Sequence, residues 1–157
     1  MKIVIHIHSQ LLEIIDKNSS KRYSISSARN GVGQQSGSHC TPTGRHIIRA
    51  KIGTDAPENT VFVGRRPTGE VYSPELATRF PDRDWILTRI LWLSGCELGF
   101  NRLGDVDTMR RYIYIHGTPD STPLGVIGSA GCIRMGNSDI IDLYERVAVG
   151  VPVEINP

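Results

Sequence analysis

IHGTPDSTPLGVIGSAGCIRM, residues 115–135, sets His116 and Cys132 sixteen positions apart, each beside a glycine, in a stretch rich in loop-forming residues. A cysteine becomes a useful nucleophile only as its thiolate, which needs a base or positive charge nearby, partial exposure and dipoles that stabilise the anion. Each is on offer. His116 ends RRYIYIHG (110–117), whose alternation reads as a strand with Tyr112 and Tyr114 on one face and Ile113 and Ile115 on the other. Ser129-Ala130-Gly131-Cys132 is a small-residue turn, where the backbone amides of Gly131 and Cys132 are free to approach a reacting carbonyl as an oxyanion hole. Arg134 shares a face with Cys132 if the chain is extended there, placed to grip a carboxylate with two N–H groups. Nothing in the set requires a metal. From the residues alone, a catalytic pair and an ordinary buried thiol with a strand-end histidine both stand, because cysteine is among the most buried residue types.

Moving outward, MKIVIHIH alternates apolar and polar residues and predicts a strand over 2–8, followed by strands near 11–15 and over Tyr23–Ser27. Residues 28–44, ARNGVGQQSGSHCTPTG, form a loop longer than most in compact domains, and such loops are often functional. Strand character resumes at 46–52, 61–64 and 85–95. The charged segment 65–83, interrupted by three prolines, reads as a surface loop with a helical turn near 74–78, placed to cap a groove or simply solvated. Trp85 and Trp92 are read as core. Asn137 is a candidate N-cap with Asp139 in the first turn; Ile140, Leu143, Tyr144 and Val147 follow helical spacing until Gly150 and Pro152, and 152–155 closes as a strand. The result is one mainly β domain, residues 1–157, with a late helix.

The composition, 39% hydrophobic and 22% charged with a net charge of +2, is that of an ordinary globular chain, and no basic block marks a nucleic-acid partner. No apolar run is long enough to insert in a membrane. The N-terminus lacks the apolar core and small-residue cleavage site of a secretory signal, so a cytoplasmic location is expected, or a periplasmic one if an upstream signal has been removed. The three cysteines, Cys40, Cys96 and Cys132, suggest no disulfide framework. His6 and His8, even taken with His39 and Cys40, do not make a tetrahedral metal set, so no metal or cofactor is expected.

The run IHGT, then S-x-G-C-I-R-M, N-x-D-I-I-D-L-Y and G-V-P-V, resembles the YkuD domain, the catalytic domain of L,D-transpeptidases. TPTG at 41–44 matches a further recurrent segment of that family, and the resemblance spans nearly the whole chain. It implies a β-sandwich of mixed sheets with a short helix in the C-terminal half. It implies that Cys132 is the acylated nucleophile, His116 the general base and acid, and Gly117 the residue whose carbonyl orients His116. Ser129, Gly131 and Arg134 occupy signature positions, with Gly131 as oxyanion amide and with Arg134 and Ser129 lining the substrate site; the strand alternation adds Tyr114 as a cleft-lining candidate, beside ordinary sheet packing. One position departs: the family has histidine before Gly-Cys, and this chain has Ala130.

The implied reaction is cleavage of a peptidoglycan tetrapeptide between its diamino acid, usually meso-diaminopimelate, and the terminal D-alanine, through a thioacyl-enzyme. Release to water gives an L,D-carboxypeptidase of cytoplasmic muropeptide recycling, the expected role. Release to an amine gives 3→3 cross-links or D-amino-acid exchange. A catalytically silent muropeptide-binding module is the reading of a different class.

Overall fold

The computed structural model describes all of residues 1–157. The alternation at the N-terminus forms β1 (Lys2–His6), with Ile3 and Ile5 fully buried. It pairs antiparallel with β2 (Leu11–Asp16) on one side and parallel with the last strand, β10 (Pro152–Asn156), on the other. β3 (Ser19–Ser26) returns from β2 as a hairpin. β4 (Gly44–Ile52) is bonded on both edges, to β10 and to β7 (Leu87–Gly95). With β8 (Tyr114–Gly117) and β9 (Ile133–Met135) set between β7 and β3, the order β4-β10-β1-β2-β3-β9-β8-β7 comes back to β4. The fold is mainly β with a late helix, as expected, and its strands form one sheet that closes into a ring. Closure leaves these eight strands without a free edge.

A core cluster of twenty buried residues fills the interior, including Leu91, Leu93, Ile115, Ile133 and Met135. Three of the twenty, Ile140, Leu143 and Tyr144, come from α2 (Asn137–Arg146), the helix the apolar spacing predicted. Asn137 is that helix's first residue rather than its N-cap, a position taken by Gly136; the Asn137 side chain turns inward instead. No helix is long and apolar enough to cross a membrane.

Three local readings are corrected. The strand expected from 110 begins only at Tyr114, because Tyr112 has φ 56° and Asp107 ties the preceding turn by accepting from the amides of Leu103 and Arg110. Tyr112 is therefore exposed and Tyr114 buried, and the two do not share a strand face. Second, the charged 65–83 segment is not all loop: it holds β6 (Arg66–Val71), which makes a hairpin with β5 (Thr60–Val63), while the helical turn expected near 74–78 is present as α1 (Pro74–Arg79), capped by Ser73 Oγ accepting the Leu76 amide. The hairpin joins the barrel where Val61 pairs with Leu87 of β7. Third, Trp85 is not core: it packs edge-on against Tyr72 at 5.0 Å and lines a polar cavity.

Candidate active site

β8 and β9 are parallel neighbours with His116 opposite Arg134 and Ile115 opposite Ile133. Extending that register sets Cys132 level with Tyr114, so His116 lies on the adjacent strand two positions along, on the same face. Parallel neighbours need a crossover of a dozen or more residues. The segment 118–132 supplies it, which is the physical reason the histidine and cysteine stand so far apart in sequence and so close in the fold.

His116 is fully buried, and its Nδ1 lies 2.7 Å from the Gly117 carbonyl oxygen. A carbonyl only accepts, so Nδ1 carries the proton and Nε2 keeps its lone pair. Gly117 has no room for a side chain: a Cβ there would sit 2.5 Å from Asn137 Oδ1 and 2.6 Å from the Leu87 carbonyl oxygen. What presses on it is a buried polar network, in which Thr88 Oγ1 donates to Asn137 Oδ1 at 2.6 Å and accepts the Asn59 amide, and Asn137 Nδ2 donates to Asn59 Oδ1. Thr88 holds φ 74°, a costly conformation for a β-branched residue. The inward-turned Asn137 thus helps fix the carbonyl that orients the imidazole.

The Ser129–Cys132 turn is held from behind. Thr41, the first residue of TPTG, is fully buried; its hydroxyl accepts the Ala28 amide at 3.0 Å and donates to the Gly131 carbonyl at 2.9 Å. Ser129 Oγ donates to the Cys132 carbonyl and accepts the Gly131 amide at 3.2 Å. Ser129 therefore lines the cavity while its hydroxyl braces the turn, and the Gly131 amide is already engaged within the protein. The Cys132 amide donates to no protein group and is the free amide of the two.

Cys132 Sγ accepts the Tyr114 amide at 3.4 Å and donates to the Tyr112 carbonyl at 3.3 Å. No hydrogen bond joins it to His116 Nε2. Burial pushes the Cys132 thiol up to about 12, against the pull of the Tyr114 amide and of the Arg134 and Arg111 guanidiniums; Asp84 pushes it further up. Burial likewise holds the His116 imidazole below its ordinary value, partly offset by the Gly117 carbonyl. The resting pair is a neutral thiol beside a neutral imidazole.

His116, Cys132, Tyr114, Ser129 and Arg134 all line one cavity of about 500 Å³. A second, polar cavity of about 550 Å³ shares Asp84, Ser129, Ala130 and Arg134 with it. Ala130, which lines both, thus sits between the two. Arg134 is anchored by Asp84 at 3.0 Å, and Arg111 donates to the carbonyls of Gly33, Gln34 and Cys40. Asp84, Arg111 and Arg65, which also lines the first cavity, were not singled out in the sequence. Their arrival depends on turns and on barrel closure, and a single sequence carries no local sign of either. Cys40 Sγ contacts the carbonyls of Asn30 and Ser38. No three His, Cys, Asp or Glu side chains gather as a metal site.

Solved structures with the same fold include an L,D-transpeptidase from Mycobacterium smegmatis, 16% identical over 99% of this chain with a TM-score of 0.57. Another is an L,D-transpeptidase from Xylanimonas cellulosilytica, 14% identical over 98% with a TM-score of 0.60. A third is L,D-transpeptidase 3 from Mycobacterium tuberculosis with a faropenem-derived adduct, 17% identical over 99% with a TM-score of 0.57. The matched region is 58%, 59% and 59% of those chains, so this chain spans little more than half their length. A search of curated proteins gave no significant match. The family model of YkuD, described as the L,D-transpeptidase catalytic domain, matches residues 1–155, and the chain therefore belongs to that family.

Proposed function

We propose that this chain is a cysteine acyltransferase acting on peptidoglycan stem peptides at the amide between the diamino acid and the terminal D-alanine. One observation carries the reading: the Nδ1–H bond to Gly117 fixes His116 as a base through Nε2, in the same cavity as the Cys132 thiol. His116 Nε2 takes the thiol proton as Sγ attacks the carbonyl carbon, and the Tyr114 amide steadies the sulfur as charge passes through it. The Cys132 amide receives the developing oxyanion. Arg134, held by Asp84, pairs with the carboxylate of the departing D-alanine. The imidazolium returns its proton to the leaving amine, and the acyl group stays on sulfur as a thioester.

Release by water is the outcome we place first. The adjoining cavity is polar and meets the first at Ala130, which gives water a route to the thioester. The next nucleophile gives its proton to His116, attacks the thioester carbonyl and expels the thiolate, which is reprotonated. The same cavity supports a second reading, in which it seats an amine acceptor and the product is a 3→3 cross-link or an exchanged D-amino acid.

Incubation of the protein with disaccharide-tetrapeptide, read by mass spectrometry, tests these. Tripeptide with free D-alanine is expected, and Cys132→Ala abolishes it. Dimers alone replace hydrolysis by transfer, and an inert Cys132 in every assay sinks the enzymatic reading. Fractionation of the native protein decides whether the substrate is a recycled muropeptide in the cytoplasm or polymeric peptidoglycan outside it.

A further inference from the structure

β5 and β6 are joined by a two-residue turn, Gly64-Arg65, with Val63 paired to Arg66 across it. Both turn residues have positive φ, 56° and 63°, the arrangement of a type I′ hairpin, where Asn-Gly is the usual pair. Glycine accepts this backbone freely. An arginine does not, and a residue held in that region points toward function when something outside the turn engages its side chain.

Here the engagement is specific. The Arg65 guanidinium lies 4.4 Å from the centre of the Trp92 ring and 5.1 Å from that of Tyr112, and Nη1 donates to the Tyr114 hydroxyl at 3.0 Å. Gly64, Arg65, Tyr112 and Tyr114 all wall the cavity that holds Cys132. That cavity has three arginines. Arg134 is paired with Asp84, and Arg111 is taken up by three backbone carbonyls. Arg65 has no carboxylate partner, and Tyr114 is its only hydrogen-bond acceptor, so most of its five N–H donors are unengaged. The aromatic faces and the Tyr114 hydroxyl fix the plane of the fork and lower the entropy cost of using it. Arg65 lies outside the second cavity, which Arg134 borders, so the two guanidiniums serve different parts of the cleft.

We propose that Arg65 reads a carboxylate on the side chain of the acyl-donor diamino acid, selecting a diamino acid with a free side-chain carboxylate over one that lacks it or carries a carboxamide. The proposal rests on the stem-peptide reading above. It divides the cleft's charges: Arg134 takes the carboxylate that leaves with D-alanine, and Arg65 takes the one that stays with the acyl group.

The test uses two synthetic tetrapeptides that differ only in that side-chain group, carboxylate or carboxamide. Binding to Cys132→Ser protein is measured by calorimetry, and turnover with the unaltered chain. The free acid is expected to bind about tenfold tighter or more, as a forked charge-assisted contact allows. Arg65→Asn suits the left-handed turn and keeps the hairpin, verified by an unchanged or higher melting temperature; it is expected to bring the two peptides within about twofold. Arg65→Lys keeps the charge but loses the fork and is expected to retain only part of the preference. Equal binding of both peptides by the Arg65 protein, or the same preference after Arg65→Asn, overturns the proposal. Tripeptide release without discrimination sinks the role of Arg65 alone, whereas discrimination without turnover sinks the acyl-transfer reading and leaves Arg65 standing.

Discussion

If Cys132 and His116 rest as a neutral pair, alkylation of the thiol has to follow its own high pKa rather than that of an ion pair. With the thiol pushed up to about 12, its thiolate fraction at pH 7.5 is on the order of 3 × 10⁻⁵, against roughly 10% for a thiol of ordinary pKa near 8.5. Cys132 is only partly covered and faces the cavity, so water there recovers part of that deficit. The iodoacetamide rate constant is accordingly expected to rise about tenfold per pH unit from 7 to 9.5 without levelling, and to lie well below that of a free thiol at pH 7.5. Turnover is expected to behave differently. It gains activity as His116 loses its proton below pH 6.5 and then stays flat through neutrality, because the neutral pair is the reactive form. Labelling with Cys40 and Cys96 replaced by serine isolates the signal, and His116→Ala is expected to leave the pH 9 rate within about twofold. A fast plateau reached below pH 7, lost in His116→Ala, would refute the reasoning and establish a resting thiolate–imidazolium pair.

Thr41→Val removes a hydroxyl and leaves the Ala28 amide and the Gly131 carbonyl buried without that partner; the expected loss is about 2–4 kcal/mol, or roughly 6–12 °C in melting temperature. Thr41→Ser keeps both bonds and is expected to lose about 1 kcal/mol, so a serine variant weaker than the valine one in thermal melts contradicts the bridge. His46 is buried with its pKa lowered to about 4, chiefly by burial, with Nδ1 bonded to the Gly44 carbonyl and Nε2 to Thr108 Oγ1. Its folded pKa lies below the unfolded value near 6.5, so the unfolded chain gains protons first: stability is full above pH 6.5 and falls as pH drops toward 4, by about 3 kcal/mol. Urea midpoints across that range check the slope, and a flat profile from pH 6.5 to 4 contradicts it.

His116, near the end of a short apolar strand, and Cys132, in a small-residue turn just before β9, drew attention through local features, but these left an ordinary buried thiol equally open; the resemblance carried by IHGT and S-x-G-C-I-R-M singled the two out. Asn137 was legible as the start of a helix but not as a buried group, since its partners Thr88 and Asn59 lie 49 and 78 positions away. β6 escaped notice because its residues are almost all exposed, which leaves no period-two apolar pattern to read. Trp85 looked like core for the same reason in reverse: its side chain is apolar, yet a cavity lined by Arg83, Asp84 and Arg134 receives it. Barrel closure depends on β4 pairing with both β7 and β10, and no segment of either strand announces two partners.

The site's geometry is held by backbone groups that side chains from remote segments pin in place. Thr41 pins the Gly131 carbonyl, Ser129 the Cys132 carbonyl, and at the Cα of Gly117 Asn137, Thr88 and Leu87 leave no room for a side chain. A loop that positions a nucleophile by its own conformational preference has to resist the entropy of its neighbours; one bolted at its carbonyls does not. This explains how the turn tolerates alanine at 130. In neither the Thr41 bridge nor the Ser129 brace does the residue 130 side chain take part, so its identity alters the space between the two cavities while the sulfur and the imidazole stay where they are. A larger side chain at 130 is therefore expected to change what the two cavities admit while leaving His116 and Cys132 in place.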